Sequence, residues 1–340
     1  MAETVLVTGG TGYVAGWCVV ELLNRGYDVR TTVRSESKKD AVLRAVATEV
    51  ESGDRLSFAV ADLTSDAGWA AAVDGCDYVL HVASPMGADD PKDKDPDALL
   101  VPARDGALRV LRAATAAGVK RVVMTSAANT ASPSSYRDEG VSDETLWTDP
   151  ADPTLPAYRR SKTAAERAAW DFMAGHDGPT TLTTILPGAV FGPILTPSTL
   201  NSVQIVGRLV KGMPGTPRIG FEVVDVRDLV DVHIRAMTSP EAAGQRFLAT
   251  GEFLWMSDAA RALRDGLGED GGKVPTRTVP DFLVRLSAVF DPSLREIMPA
   301  LGRRHRHTTA KAERVLGWRA RPAAETVVAC GKSLIAHNVV

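Results

Sequence analysis

The chain has 340 residues, 44% hydrophobic and 24% charged, with a formal net charge of −3. That is the make-up of a soluble globular protein with one large domain or two modest ones. The mildly acidic balance offers no general attraction to nucleic acid or an anionic membrane, and no apolar run approaches the roughly 20 residues of a membrane span. Three scattered cysteines, Cys18, Cys76 and Cys330, form no Cys-x-x-Cys pair, which argues against a metal site or a disulfide framework. The first residues enter a core strand with no signal-peptide pattern, so the expected location is cytoplasmic.

Val5-Leu6-Val7 reads as a strand that feeds the turn Thr8-Gly9-Gly10-Thr11-Gly12. Beyond it the apolar period becomes helical, with Val14, Cys18, Val19, Leu22 and Leu23 on one face and a stop at Asn24-Arg25-Gly26. Strand, glycine turn and helix form the first half of a dinucleotide-binding unit. Gly9 permits the sharp turn and Gly12 a close backbone approach. The free N–H groups of Thr11, Tyr13 and Val14 at the helix start point at phosphates.

Asp28 to Arg34 alternates as a second strand and ends in a cation, with Lys38 and Lys39 behind. Arg34 and Lys39 suit a 2′-phosphate, so NADP(H) is expected in place of NAD. A solvated basic loop is the other reading. A helix is predicted over Ala41 to Val50 and a third strand over Leu56 to Val60. Asp62-Leu63 follows, where the carboxylate can meet an adenine amino group or cap the next turn. A short helix is predicted over Trp69 to Val73, then a strand running from Asp77 into Val82-Ala83-Ser84-Pro85. The small residues there leave room for a cofactor. His81 sits in an apolar strand and reads as a satisfied core residue.

Gly87 to Pro96 reads as a polar loop, Ala98 to Ala117 as a long helix, and Val119 to Thr125 as a fifth strand followed by Ser126-Ala127-Ala128-Asn129. This alternation implies an α/β fold, a doubly wound parallel sheet of Rossmann type. Right-handed crossovers would gather the strand ends along one rim.

Tyr158-Arg159-Arg160-Ser161-Lys162 opens a helical stretch that runs to about Gly175. Spaced i and i+4, Tyr158 and Lys162 share a face one turn apart. A free phenol has a pKa near 10. An adjacent ammonium would favour the phenolate and let the tyrosine act as an acid or base near neutral pH.

Together, Thr8 to Ala15, Val33-Arg34, Asp62-Leu63, His81 to Met86 and Tyr158-x-x-x-Lys162 resemble the extended short-chain dehydrogenases. The branch is that of dihydroflavonol 4-reductase and cinnamoyl-CoA reductase. Asp143 to Trp147, Leu186 to Pro193 and Val224 to Asp228 resemble further stretches of that branch. The resemblance implies NADPH-dependent reduction of a ketone or aldehyde, with Tyr158 as proton donor and Lys162 tuning it and holding the ribose. It also implies Thr125, Pro187 and Val190 beside the cofactor. The branch usually has Thr-Ser-Ser after the fifth strand, the second serine being catalytic, whereas Thr125-Ser126-Ala127 stands here. Three readings stay open: Ser126, the best-placed hydroxyl and the one expected to be catalytic, takes over; Asn129 or another polar side chain donates; or Tyr158 acts alone.

Residues 1–190 are expected to form the NADP-binding domain and 191–340 mainly a smaller α+β substrate lobe, with part of 215–250 returning to the first. Helices are predicted over Leu200 to Gly212, Val226 to Met237, Ala259 to Leu267 (capped by Met256-Ser257-Asp258), Lys311 to Gly317 and Ala323 to Ala336, and strands over Leu182 to Leu186 and Arg246 to Thr250. Another helix, Asp281 to Phe290, is expected to turn Phe282, Leu283, Leu286 and Phe290 inward. The basic run Arg303 to His307 is expected to be solvated, with contact to an anionic substrate as the other reading. The partner expected is a small carbonyl or alcohol substrate, and the chain is expected to be a monomer or homodimer. Two rivals remain: an extended-type nucleotide-sugar epimerase or dehydratase, and an NADP-sensing regulator without catalysis.

Overall fold

The computed structural model describes residues 2–85, 99–134, 139–198, 201–290 and 298–340. Met86, the loop expected over Gly87 to Pro96, Ala98 and Leu200 lie outside them.

The first half alternates strictly. Its elements are β1 (Thr4–Val7), α1 (Tyr13–Asn24), β2 (Asp28–Val33), α2 (Lys39–Val46), β3 (Leu56–Val60), α3 (Trp69–Val73), β4 (Tyr78–His81), α4 (Leu100–Ala116) and β5 (Arg121–Thr125). After β6 (Gly140–Ser142) come α5 (Ala157–Ala174), β7 (Thr181–Pro187), β8 (Ala189–Phe191), α6 (Gln204–Lys211), β9 (Gly220–Asp225), α7 (Val226–Thr238) and β10 (Gln245–Ala249). The rest holds β11 (Phe253–Trp255), α8 (Met256–Leu267), α9 (Asp281–Phe290), β12 (His305–His307), α10 (Ala310–Leu316) and α11 (Ala323–Ala336).

Seven parallel strands form the main sheet in the order β10-β7-β5-β4-β1-β2-β3. Strand periodicity explains its two covered faces. Val5 and Val7 of β1, with Leu80, Val123 and Ile185, face a core shared with α1 and α7. Leu6, Val79, Val122 and Leu182, one residue out of step, face α3, α4 and α5. The chain moves outward from β1 to β3 and then returns to the other side of β1 with β4. That reversal opens a crevice at the carboxyl ends of β1 and β4.

A three-stranded sheet, β11-β9-β8, and the pair β12-β6 lie outside the main sheet. Apart from β9, their strands have three residues each, too short to show alternation in sequence. β10 rejoins the main sheet as its edge beside β7. The Val-Asp-Val-Arg-Asp stretch is structural. Asp225 caps α7 through the Arg227 N–H at 2.9 Å, and Asp228 grips Arg321 at 2.7 Å, tying α7 to the segment that leads into α11.

Three expectations are corrected. Helix α8 starts at Met256, the first residue of the expected cap, with Trp255 as the capping residue and Asp258 in the first turn. Helix α9 buries Val284 and Ala288, while Phe282, Leu283 and Leu286 are exposed. Val284 packs on Ile219 and Leu301, so tertiary contact overrides the larger apolar face. Residues 305–307 of the basic run form β12, paired in parallel with Gly140–Ser142. Among the described residues no helix is long and apolar enough to cross a membrane, and no cluster of three or more His, Cys, Asp or Glu could hold a metal ion.

Candidate active site

A cleft of about 1210 Å³ runs over the strand ends. It exceeds the roughly 300–1,000 Å³ of pockets for one drug-sized ligand. Every sequence-predicted site residue lines it except Lys39. Lys39 pairs instead with Glu36 at 2.5 Å, three residues earlier in the turn before α2. Arg34 is exposed on the cleft wall and stands there without Lys39.

The glycine turn is built tightly. Gly9 has φ +76°, a conformation that disfavours a side chain. A Cβ on Gly10 would meet the Thr31 hydroxyl at 2.4 Å, so this glycine serves strand-to-turn packing. Thr32 Oγ1 accepts from the Gly9 N–H at 2.8 Å. Thr8 Oγ1 accepts from the Val82 and Ala83 N–H groups at 3.0 Å each. Its own proton is therefore directed to His81 Nδ1, also 3.0 Å away. Burial lowers the pKa of His81 to about 3, with Lys162 adding to the effect, so it is a neutral core acceptor, as its strand position suggests. Gly12 caps α1 with no side chain to offer, and the first turn carries no acidic residue. Its orphan N–H groups are left to a ligand. The Tyr13 hydroxyl is buried with no hydrogen-bond partner among the described residues. Burial first, then Cys330 and Asp225, raise its pKa, so this side chain belongs to the core behind α1. An uncapped helix start with Arg34 on the same cleft wall fits a dinucleotide phosphate.

Asp62 settles on capping for one of its oxygens. Its Oδ1 accepts from the Thr64 N–H at 2.8 Å and the Thr64 hydroxyl at 2.7 Å. Those bonds, backbone first, hold its carboxyl below the usual range.

Helix α5 carries Tyr158 and Lys162 to the opposite wall. Tyr158 is 37% exposed, open to the cleft, and no group among the described residues hydrogen-bonds its hydroxyl. Burial raises its pKa above 10. Lys162 Nζ donates to the Thr125 carbonyl at 2.9 Å, and the expected lowering by this cation does not offset the burial of the phenol. Burial brings the lysine itself down to about 8, Glu166 opposing the shift. Thr125 spends its hydroxyl on His233 Nε2 at 2.7 Å.

The geometry also corrects the expectation for Ser126. Its hydroxyl donates to Glu166 Oε2 at 2.6 Å and the residue is buried. Ser126 therefore braces β5 against α5, and its proton is not directed at a substrate. Glu166 also accepts from Thr184 at 2.8 Å and Arg246 Nε at 2.9 Å. Burial would raise this carboxyl, but Arg246 and the Ser126 and Thr130 hydroxyls outweigh it and hold it below the usual range. Arg246 lies 3.5 Å over the Trp147 ring, which accounts for the Asp143 to Trp147 stretch as packing.

The cleft is also lined by Phe221, Glu222 and Phe253, which the sequence did not assign to a site, and by Arg303, His305 and His307 of the basic run. His307 Nδ1 lies 2.5 Å from Glu222 Oε2 and its Nε2 2.9 Å from Ser132 Oγ. Histidines at 305 and 307 share one strand face, an i, i+2 spacing that could have been read as such.

A profile described as the NAD dependent epimerase/dehydratase family matches residues 5–249. The chain is 38% identical over 253 residues to cinnamoyl-CoA reductase 1 of Arabidopsis thaliana, covering 73% of this chain and 70% of that one. It is 34% identical over 319 residues to ketoreductase azaE of Aspergillus niger, covering 86% and 91%. Among solved structures, Gre2 of Candida albicans in complex with NADPH superposes with a TM-score of 0.81 at 27% identity, covering 98% and 99%.

Proposed function

The chain belongs to the NAD dependent epimerase/dehydratase family, and from that premise we propose that it is an NADPH-dependent carbonyl reductase, turning a ketone or aldehyde into an alcohol. The observation that carries the reading is the placing of Tyr158 and Lys162 on the wall of the same cleft that starts at the Gly9 turn. Relatives named as reductases and a neighbour solved with NADPH support it.

NADPH supplies the hydride when bound. The open first turn of α1 receives its phosphates, and Arg34 receives the 2′-phosphate. A pKa raised by burial keeps the Tyr158 phenol protonated at neutral pH, so it acts as proton donor to the carbonyl oxygen. Lys162, a cation below about pH 8, stabilises the phenolate left behind and holds the ribose beside β5.

The test is NADPH consumption by the purified chain over cinnamaldehyde, isovaleraldehyde, methylglyoxal and acetophenone. Turnover of at least one is expected. Tight NADPH binding with no turnover would favour the regulator reading.

A further inference from the structure

Reduction of a carbonyl builds negative charge on its oxygen, and a second hydrogen-bond donor beside the proton donor speeds it. The wall next to Tyr158 is short of donors. Ser126 gives its proton to Glu166 and Thr125 gives its own to His233. Ala127, buried on the cleft wall, has none. Farther round, Thr154 donates to Asp152 at 2.6 Å, and Ser202 donates to the Val190 carbonyl. Thr11 and Ser84 belong to the ends of β1 and β4, which lie two strands and one strand away from β5.

Asn129 differs from all of these. It lines the cleft, half-buried, in the single turn that follows β5. Its backbone is pinned, the carbonyl accepting from Arg159 Nε at 3.0 Å and from the Thr148 hydroxyl at 2.7 Å. Arg159 is the residue after Tyr158, so this clamp ties Asn129 to the start of α5. Its carboxamide has no hydrogen-bond partner among the described residues.

We propose that the Asn129 carboxamide donates an N–H to the carbonyl oxygen of the substrate during reduction, supplying what Ala127 and the diverted Ser126 cannot. This inference rests on the carbonyl-reductase reading. Asn129 is chemically unchanged by the reaction: the proton comes from Tyr158, the hydride from NADPH, and the carbonyl becomes C–H and O–H. A neutral amide donor works identically across the pH range in which Lys162 titrates.

The test measures kcat, KM and NADPH affinity (by cofactor fluorescence) for Asn129→Ala and for the isosteric Asn129→Asp, using the panel carbonyl that wild type reduces fastest. A fall in kcat of about 10²-fold with NADPH affinity unchanged is expected in both. Adding Ala127→Ser to Asn129→Ala should restore part of the rate. A kcat within about threefold of wild type would overturn the proposal, as would loss of NADPH binding in both variants, which marks a structural role. If wild type reduces no panel member, the reductase reading itself fails and takes this inference with it.

Discussion

Lys162 permits a quantitative test, because burial sets its charge within reach of an ordinary assay. Its pKa is lowered from the usual 10.5 to about 8. At pH 7 such a group is about nine-tenths protonated and at pH 9 about one-tenth. If only the cation holds the ribose and the phenolate, kcat/KM for NADPH falls about tenfold between those values, since this parameter reports the cofactor-free protein. Neighbouring groups do not confuse the limb. Tyr158 is raised above 10 and His81 is lowered to about 3. Unfolding does not mimic it either. Between about pH 8 and 10.5 the unfolded chain keeps a proton that the folded chain has released, so this lysine's contribution to stability rises with pH. Lys162→Arg keeps its charge throughout this range, so whatever activity it retains should be flat from pH 7 to 9. A flat wild-type profile, or the same falling limb in Lys162→Arg, would refute the argument.

Arg34→Ala should raise KM for NADPH at least tenfold while leaving KM for NADH nearly unchanged, read from steady-state kinetics with either cofactor. Equal effects on both would remove Arg34 from 2′-phosphate recognition. Arg246→Met strands the fully buried Glu166 carboxylate and should cost about 3–5 kcal/mol in urea unfolding. Adding Glu166→Gln should recover part of that loss. A loss below about 1 kcal/mol, or no recovery, would show that the pair is not coupled as its geometry implies.

The sheet was legible because short apolar strands alternate with helices along the chain. Leu56 to Val60, Trp69 to Val73 and Ala323 to Ala336 begin and end where the pattern puts them. The glycine turn and the Tyr158 and Lys162 spacing were equally readable, since each is a local pattern. What sequence could not reveal depends on where atoms are spent. Ser126 looks like a free strand-end hydroxyl until Glu166, 40 residues on, takes its proton. Lys39 looks like a phosphate ligand until Glu36 claims it. Phe282 and Leu286 make the more apolar face of α9, yet Val284 finds the neighbour. The basic run hid a strand because its partner, Gly140–Ser142, is distant and only three residues long.

The central claim is that the hydroxyl of Tyr158 delivers the proton. The most direct measurement compares wild type with Tyr158→Phe, which removes one oxygen and leaves the ring. NADPH should bind both proteins alike by fluorescence, while turnover of the best panel carbonyl falls at least 10²-fold, within the range for a positioned acid. Equal turnover by the two proteins would contradict the account.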